Sequence, residues 1–213
     1  MQRLASLFFI GSSIFLMSFT APTVVKEGNK PTKTEIAKPS VFQVNVTESK
    51  VNWTGRKVTG HHEGTINISD GKLELDNNVL KSGNFSIDTR SILVTDLKDA
   101  GSNAKLLGHL KSEDFFSVEK FPAANFVTTN ITNKGNGSYD ITGNLTIKGI
   151  TNPISFPATV TIEGSKLTAK AAIKVDRTKY NIKYGSKSFF EGIGDKAIYD
   201  DFDLDVVLVA TVK

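Results

Sequence analysis

The 213-residue sequence contains no cysteine. That excludes disulfides, thiolate metal centres, a thiol nucleophile and a lipidated N-terminal cysteine. Export stays open, because an all-β domain of this length buries an adequate core without covalent staples. Hydrolase signatures are missing as well: neither H-E-x-x-H nor G-x-S-x-G occurs. Gly135-Asn136-Gly137 lacks the third glycine of a dinucleotide fingerprint and precedes a strand pattern. An EF-hand loop beginning at Asp201 requires glycine at its sixth position and glutamate at its twelfth, where Val206 and Val212 stand. His61 and His62 are sequence neighbours, so in extended chain they point to opposite faces and do not readily share a metal; His109 is remote from both. Net charge is +4, yet the mature region has no basic block of the kind that engages nucleic acid. With no nucleophile beside a base at a telling spacing, the reading is a non-enzyme without metal or cofactor.

Only one stretch is long, apolar and uncharged, and it is N-terminal. Arg3 precedes the run Leu4 to Phe19, and small residues Thr20 and Ala21 follow. The run is short of the ~20 residues that span a bilayer, so residues 1–21 read as a signal peptide. Residues 22–40 are rich in Lys, Thr, Glu and Pro and read as a flexible tether, which leaves one domain over 41–213.

Inside that domain the dominant pattern has a period of two. Tyr139, Ile141, Gly143, Leu145 and Ile147 share one face, with Asp140, Thr142, Asn144, Thr146 and Lys148 on the other. Ile154, Phe156, Ala158, Val160 and Ile162 continue it, as do Leu167, Ala169, Ala171, Ile173 and Val175, and then Phe202, Leu204, Val206, Leu208 and Ala210. Shorter runs around Val51 and Trp53, Ile66 and Ile68, and Phe85 and Ile87 behave alike. Half-buried strands of this kind build antiparallel sheets with one dry face. Turns are expected at Ser69–Lys72 and Glu163–Lys166, and loops at Asn133–Ser138 and Gly149–Pro153. Short strands joined by hairpins predict an all-β sandwich or barrel. One segment departs from the pattern: Leu106, Leu107 and Leu110 recur at helical spacing, so a short helix is expected over Ala104–Lys111, in a long connection that Pro122 ends. Arg177 reads as an ion pair or turn at a barrel rim, the competing role being a cation for an anionic head group.

Three ordered motifs carry a family resemblance. The run Gly108-His109-Leu110-Lys111-Ser112-Glu113-Asp114-Phe115-Phe116, with Val118-Glu119-Lys120-Phe121-Pro122 after it, is similar to the central signature of the YceI-like family. Asp140 to Thr151 followed by Pro153 resembles a second signature, and Ile173 to Tyr180 with Asp176-Arg177 a third. The match covers about Val41 to Lys213; Gly55–His62 and Tyr184–Tyr199 depart from it and would reshape a cavity mouth.

The resemblance implies an extended, eight-stranded, antiparallel, lipocalin-like β-barrel with a short helix in one long connection. It further implies a bacterial periplasmic or secreted protein that holds a polyisoprenoid, an isoprenoid quinone or a similar long-chain lipid without catalysis. On that reading the ligand is lined by Trp53, Phe85, Ile87, Leu106, Leu110, Phe115, Phe116, Phe126, Ile141, Leu145, Ile147, Phe156, Ile173, Phe189 and Phe190. Phe189 and Phe190 sit in a stretch punctuated by Gly185, Gly192 and Gly194, and serve either as a lid or as a plug at a barrel end. Transient membrane contact during loading and a homodimer are both compatible with this reading. The alternative is a non-catalytic interaction or stress-response module whose barrel is packed solid.

Overall fold

The computed structural model describes residues 39–213. The expected signal peptide and nearly all of the expected tether lie outside the described residues, and Ser40 already opens the first strand. Nine strands follow: β1 (Ser40–Val44), β2 (Lys50–Lys57), β3 (Gly60–Asp76), β4 (Val79–Val94), β5 (Ala123–Gly135), β6 (Ser138–Ile147), β7 (Ile150–Glu163), β8 (Lys166–Asp176) and β9 (Ile198–Val212), with helix α1 (Ala100–Lys111) between β4 and β5.

The strands pair in the order β3-β2-β9-β8-β7-β6-β5-β4, and β4 returns to β3. This closes an eight-stave antiparallel barrel, as expected, and closure removes sheet edges that would otherwise template aggregation. β1 is not a ninth stave. It pairs with Leu73 and its neighbours on β3 and with Val212 to Ala210 on β9, so it continues the stave that β2 begins. The break falls at Asn45–Ser49, where the Asn45 carboxamide oxygen accepts the Thr47 N–H at 3.1 Å. Ser49 then substitutes for strand pairing: its hydroxyl accepts the Val209 N–H at 3.0 Å.

Three hairpins turn on two residues of positive φ, the type I′ geometry that matches strand twist. They are Asn77-Asn78, Asn136-Gly137 and Lys148-Gly149. The last corrects the expectation of a loop over Gly149–Pro153: pairing resumes at Ile150, and Pro153 lies inside β7 opposite Asn144. The expected turn at Ser69–Lys72 is corrected too. β3 runs unbroken through it, and the register against β4 shifts between Ile68 and Asp70. Ser69, left without a partner on β4, is therefore the bulged residue, while Gly71 is back in register and serves close approach: a Cβ there would stand 2.7 Å from the Phe85 ring and 2.9 Å from Val44. α1 starts one turn earlier than expected because Asp99 caps it, its carboxylate accepting the Ser102 N–H at 2.8 Å.

The period-two pattern maps onto the barrel as inside and outside. Tyr139, Ile141, Gly143, Leu145 and Ile147 are all buried, while their alternates face solvent. Gly64 lets the sole tryptophan cross the wall. A Cβ there would meet the Leu93 carbonyl oxygen at 1.8 Å, and the Trp53 indole N–H donates to that same oxygen at 3.1 Å. At one end of the barrel Phe42, Leu75, Leu167 and Ala210 are buried together. At the other end the caps are α1 with Leu110 and Phe115, and the turn after β8 with Tyr180 and Ile182.

Candidate functional site

The barrel encloses two chambers. The first, about 130 Å³, lies at mid-barrel and is walled by Phe85, Phe126, Ile141, Phe156, Ala169 and Ile173 among others. The second, about 140 Å³, lies under α1 and is walled by Trp53, Leu110, Phe115, Phe116, Ile147 and Phe202 among others. Val51, Ile87, Leu145 and Leu204 line both, so the chambers adjoin through a shared apolar neck. Aromatic rings shape the walls. Phe126 tilts against Phe156 with centroids 5.5 Å apart, and Phe116 meets Phe202 edge-on at 6.3 Å.

Three polar groups at the walls are already engaged. The Thr128 hydroxyl oxygen accepts the Gly83 N–H at 2.9 Å, and the Thr89 hydroxyl donates to the Phe121 carbonyl at 2.7 Å. Arg177 is only 4% exposed and also touches the second chamber. Its guanidinium donates to four backbone carbonyls, those of Tyr199 (3.0 Å), Ile182 (2.9 Å), Tyr184 (2.9 Å) and Ile198 (3.1 Å). Asp200 stands 3.6 Å away. Of the five N–H groups an arginine carries, the carbonyls take four. Burial pulls the Arg177 pKa down, and Asp200 and then Asp176 oppose that shift. Arg177 thus opens a turn at the barrel rim beside Asp200, as expected, and is not a free head-group receptor: it also clamps the Ile182–Tyr199 segment onto the barrel end. With these groups engaged and Lys170 and Asp201 exposed at the surface, the chambers suit an apolar chain.

Of the fifteen residues expected to line a ligand, the structure brings twelve to the chambers. Phe85, Phe126, Ile141, Phe156 and Ile173 are in the first, Trp53, Leu110, Phe115, Phe116 and Ile147 in the second, and Ile87 and Leu145 in both. Three lie outside both chambers. Leu106 is half-buried against the core but lines neither chamber, because it lies one turn before Leu110, the single buried residue of α1. Phe189 and Phe190 are 47% and 52% exposed and neither lines a chamber nor plugs the barrel. The Arg177 clamp draws Ile182 inward, while the segment carrying Gly192 and Gly194, both at positive φ, turns the pair outward; Lys183 lies over the Phe189 ring at 4.6 Å. Lining residues outside that set include Val51, Ile68, Leu73, Ala169, Ala171, Leu204 and Val206. Most stand on the inward faces that the alternation marks, so the signal was present; what the alternation lacks is depth along the stave.

Elsewhere, His62 Nδ1 lies 2.8 Å from Asp96 and His109 Nε2 lies 3.1 Å from Asp114. Burial alone would raise Asp96, but the bonds from His62 and the Glu63 N–H outweigh it and hold its pKa below the usual carboxylate range. Among the described residues no three His, Asp or Glu side chains converge as a metal site would require.

Two buried polar atoms have no hydrogen-bond partner among the described residues, the Tyr180 hydroxyl and Asp200 Oδ1. Burial, with Asp176 adding to it, pushes the Tyr180 phenol up from 10 to about 12. Above pH 10 the unfolded chain releases this proton while the folded chain keeps it. Tyr180 therefore costs stability as pH rises from 10 toward 12, by up to roughly 2–3 kcal/mol, and costs none below 10. Tyr180→Phe is expected to be neutral or stabilising by about 1 kcal/mol at pH 7, since it removes an unpaired buried hydroxyl. It is also expected to flatten the alkaline limb. Urea unfolding at pH 7, 10 and 11 checks both; a loss of stability at pH 7 would mean that the hydroxyl is paired.

The comparisons with known proteins agree with this architecture. BcnA of Burkholderia cenocepacia superposes with a TM-score of 0.65 at 26% identity, over 79% of this chain and 99% of that one. A domain of Saccharophagus degradans, described as a polyisoprenoid binding domain implicated in plant cell wall breakdown, superposes at 0.59 with 14% identity, over 83% of this chain and 100% of that one. In sequence, a UPF0312 protein of Shewanella denitrificans is 36% identical over 101 residues, 47% of this chain and 50% of that protein. One from Pseudomonas putida is 40% identical over 89 residues, 38% of this chain and 46% of that protein. The chain spans about half the length of the curated relatives it matches. The YceI-like domain profile matches residues 42–210, nearly the whole barrel, and the chain belongs to that family.

Proposed function

We propose that the barrel holds one long apolar chain, a polyisoprenoid, an isoprenoid quinone or a similar lipid, as an exported, non-catalytic carrier in the bacterial periplasm or outside the cell. The observation that carries this reading is the pair of adjoining chambers whose open lining is wholly apolar. Such a space rewards an apolar chain at ~0.8 kcal/mol per buried CH₂ and requires no polar contact. The polyisoprenoid binding domain of Saccharophagus degradans shares the fold, and a polyisoprenoid tail is a hydrocarbon chain.

Size refines the proposal. Each chamber is close to the roughly 150 Å³ of an engineered apolar cavity that takes up benzene. As they stand, the two chambers seat only a short segment each. A longer chain is accommodated when half-buried wall residues such as Phe85, Phe156, Phe202 and Leu204 move aside. Native mass spectrometry of protein purified without added lipid tests the reading. The expected spectrum contains a heavier species that organic extraction converts to the bare chain mass. Bare chain in every preparation, with no lipid-dependent rise in melting temperature, would return the packed-barrel alternative.

A further inference from the structure

The barrel wall is unzipped on one side. β7 pairs with β6 from Ile150 to Thr159, but with β8 only from Ala158 to Glu163. β8 itself continues to Asp176 against β9. Residues 153–157 of β7 and 172–176 of β8 therefore face each other without a ladder. The sequence of β7 enforces this. The Lys148-Gly149 turn makes Ile147 and Ile150 a hydrogen-bonded pair, so even-numbered residues of β7 direct their backbone groups toward β6, as the Val160 N–H does in reaching Gly137 O at 2.7 Å. Odd-numbered residues direct theirs toward β8. Two of these, Pro153 and Pro157, have no N–H to give. Beyond the unpaired stretch the Asn152 side chain donates to the Lys179 carbonyl at 2.9 Å and closes the far end of the slot.

The slot leads to the first chamber. Ile154, Phe156 and Ile173 point inward on its two lips and are only half-buried, whereas Ile141 and Leu145 on the neighbouring stave β6 are buried. On the outside, a groove of about 410 Å³ lined in part by Pro157 and Ala172 shares Ala158, Lys170, Ala171 and Val206 with the inner chamber, so one layer of side chains separates the two. Among the described residues both barrel ends are filled by buried side chains, and the shortened β4–β5 pairing is bridged by the Tyr139 and Thr128 hydroxyls, which accept the Leu80 and Gly83 N–H groups.

The geometry points to a lateral portal between β7 and β8, held open by Pro153 and Pro157, through which an apolar chain enters and leaves the barrel sideways. This rests on the lipid-holding reading above and adds the route. The chain's lack of cysteine makes the test clean. In a Ser155→Cys, Lys174→Cys variant the outward-facing lips are joined by a bifunctional maleimide; the control joins Thr161→Cys to Thr168→Cys, a paired position on the same two strands. Exchange of cis-parinaric acid, a fluorescent long-chain fatty acid, is followed by stopped flow. The lip cross-link is expected to slow uptake and release at least ten-fold with little change in equilibrium affinity, and the control to leave both rates unchanged. A second arm needs no lipid: N-ethylmaleimide should label Ile173→Cys at least ten-fold faster than Ile141→Cys. Unchanged exchange across the lip cross-link, or equal labelling of the two thiols, overturns the portal. Absence of probe binding in the uncross-linked protein overturns the lipid-holding reading instead, and the thiol comparison then decides the portal alone.

Discussion

Replacing Arg177 with methionine is expected to destabilise the domain by about 4 kcal/mol, as four carbonyls, one buried and three partly buried, each lose a donor worth roughly 1–3 kcal/mol when left unpaired and partial hydration of the freed loop returns some of it. For a domain of this size that lowers the melting temperature by roughly 10 °C. The donors on this guanidinium go to Ile182, Tyr184, Ile198 and Tyr199, the two ends of one irregular segment, so a single side chain ties both ends to the barrel. Arg177→Lys should recover little, because an ammonium presents its three donors from one point and cannot span four carbonyls. Thermal unfolding by circular dichroism measures both variants. A loss below 1 kcal/mol for the methionine variant would show that the clamp contributes little, and full rescue by lysine that it contributes charge and not geometry.

The second large effect is expected from filling the first chamber. Ala169 points inward on β8, half-buried at the chamber wall and opposite Val160 and Leu208 on the flanking staves. Ala169→Trp places an indole in a space of about 130 Å³. Bulk added to a packed core costs ~1–3 kcal/mol, but bulk that fills a void gains contacts instead. The unliganded variant should therefore melt at the same temperature as the parent or higher, while affinity for a long-chain lipid falls at least 100-fold, about 2.7 kcal/mol. Binding titration beside a melting curve separates the outcomes. A sharp stability loss would indicate a barrel packed solid at this point, and unchanged affinity would place the ligand elsewhere.

Legibility varied with the kind of signal. The inward faces of β6, β7, β8 and β9 could be read from alternation alone, since a strand has only two sides and one of them is dry. Ser69–Lys72 resembled a turn because Asp and Gly favour one, yet within β3 Ser69 is only a bulge opposite β4 and Gly71 makes room for the Phe85 ring. Pro153 resembled a loop residue because proline is excluded from paired strands; the excluded case is avoided here by leaving that edge of β7 unpaired. Phe189 and Phe190 resembled core because of their size, yet nothing local states which way an irregular segment turns. Leu106 shares a helical face with Leu110, but the face tilts, so only the second reaches the interior.

What the sequence determined by itself was local and chemical: strands by period two, the Glu163–Lys166 turn by its glycine, the exclusion of thiol chemistry, and motifs specific enough to assign the family. Closure of the sheet, the double chamber, the carbonyl clamp around Arg177 and the slot between β7 and β8 were decided by tertiary structure. Each depends on residues far apart in the chain meeting at one depth along the barrel axis. Alternation specifies the side on which a residue lies; the register of eight staves specifies its depth, and only depth distinguishes a wall residue from one that fills the core.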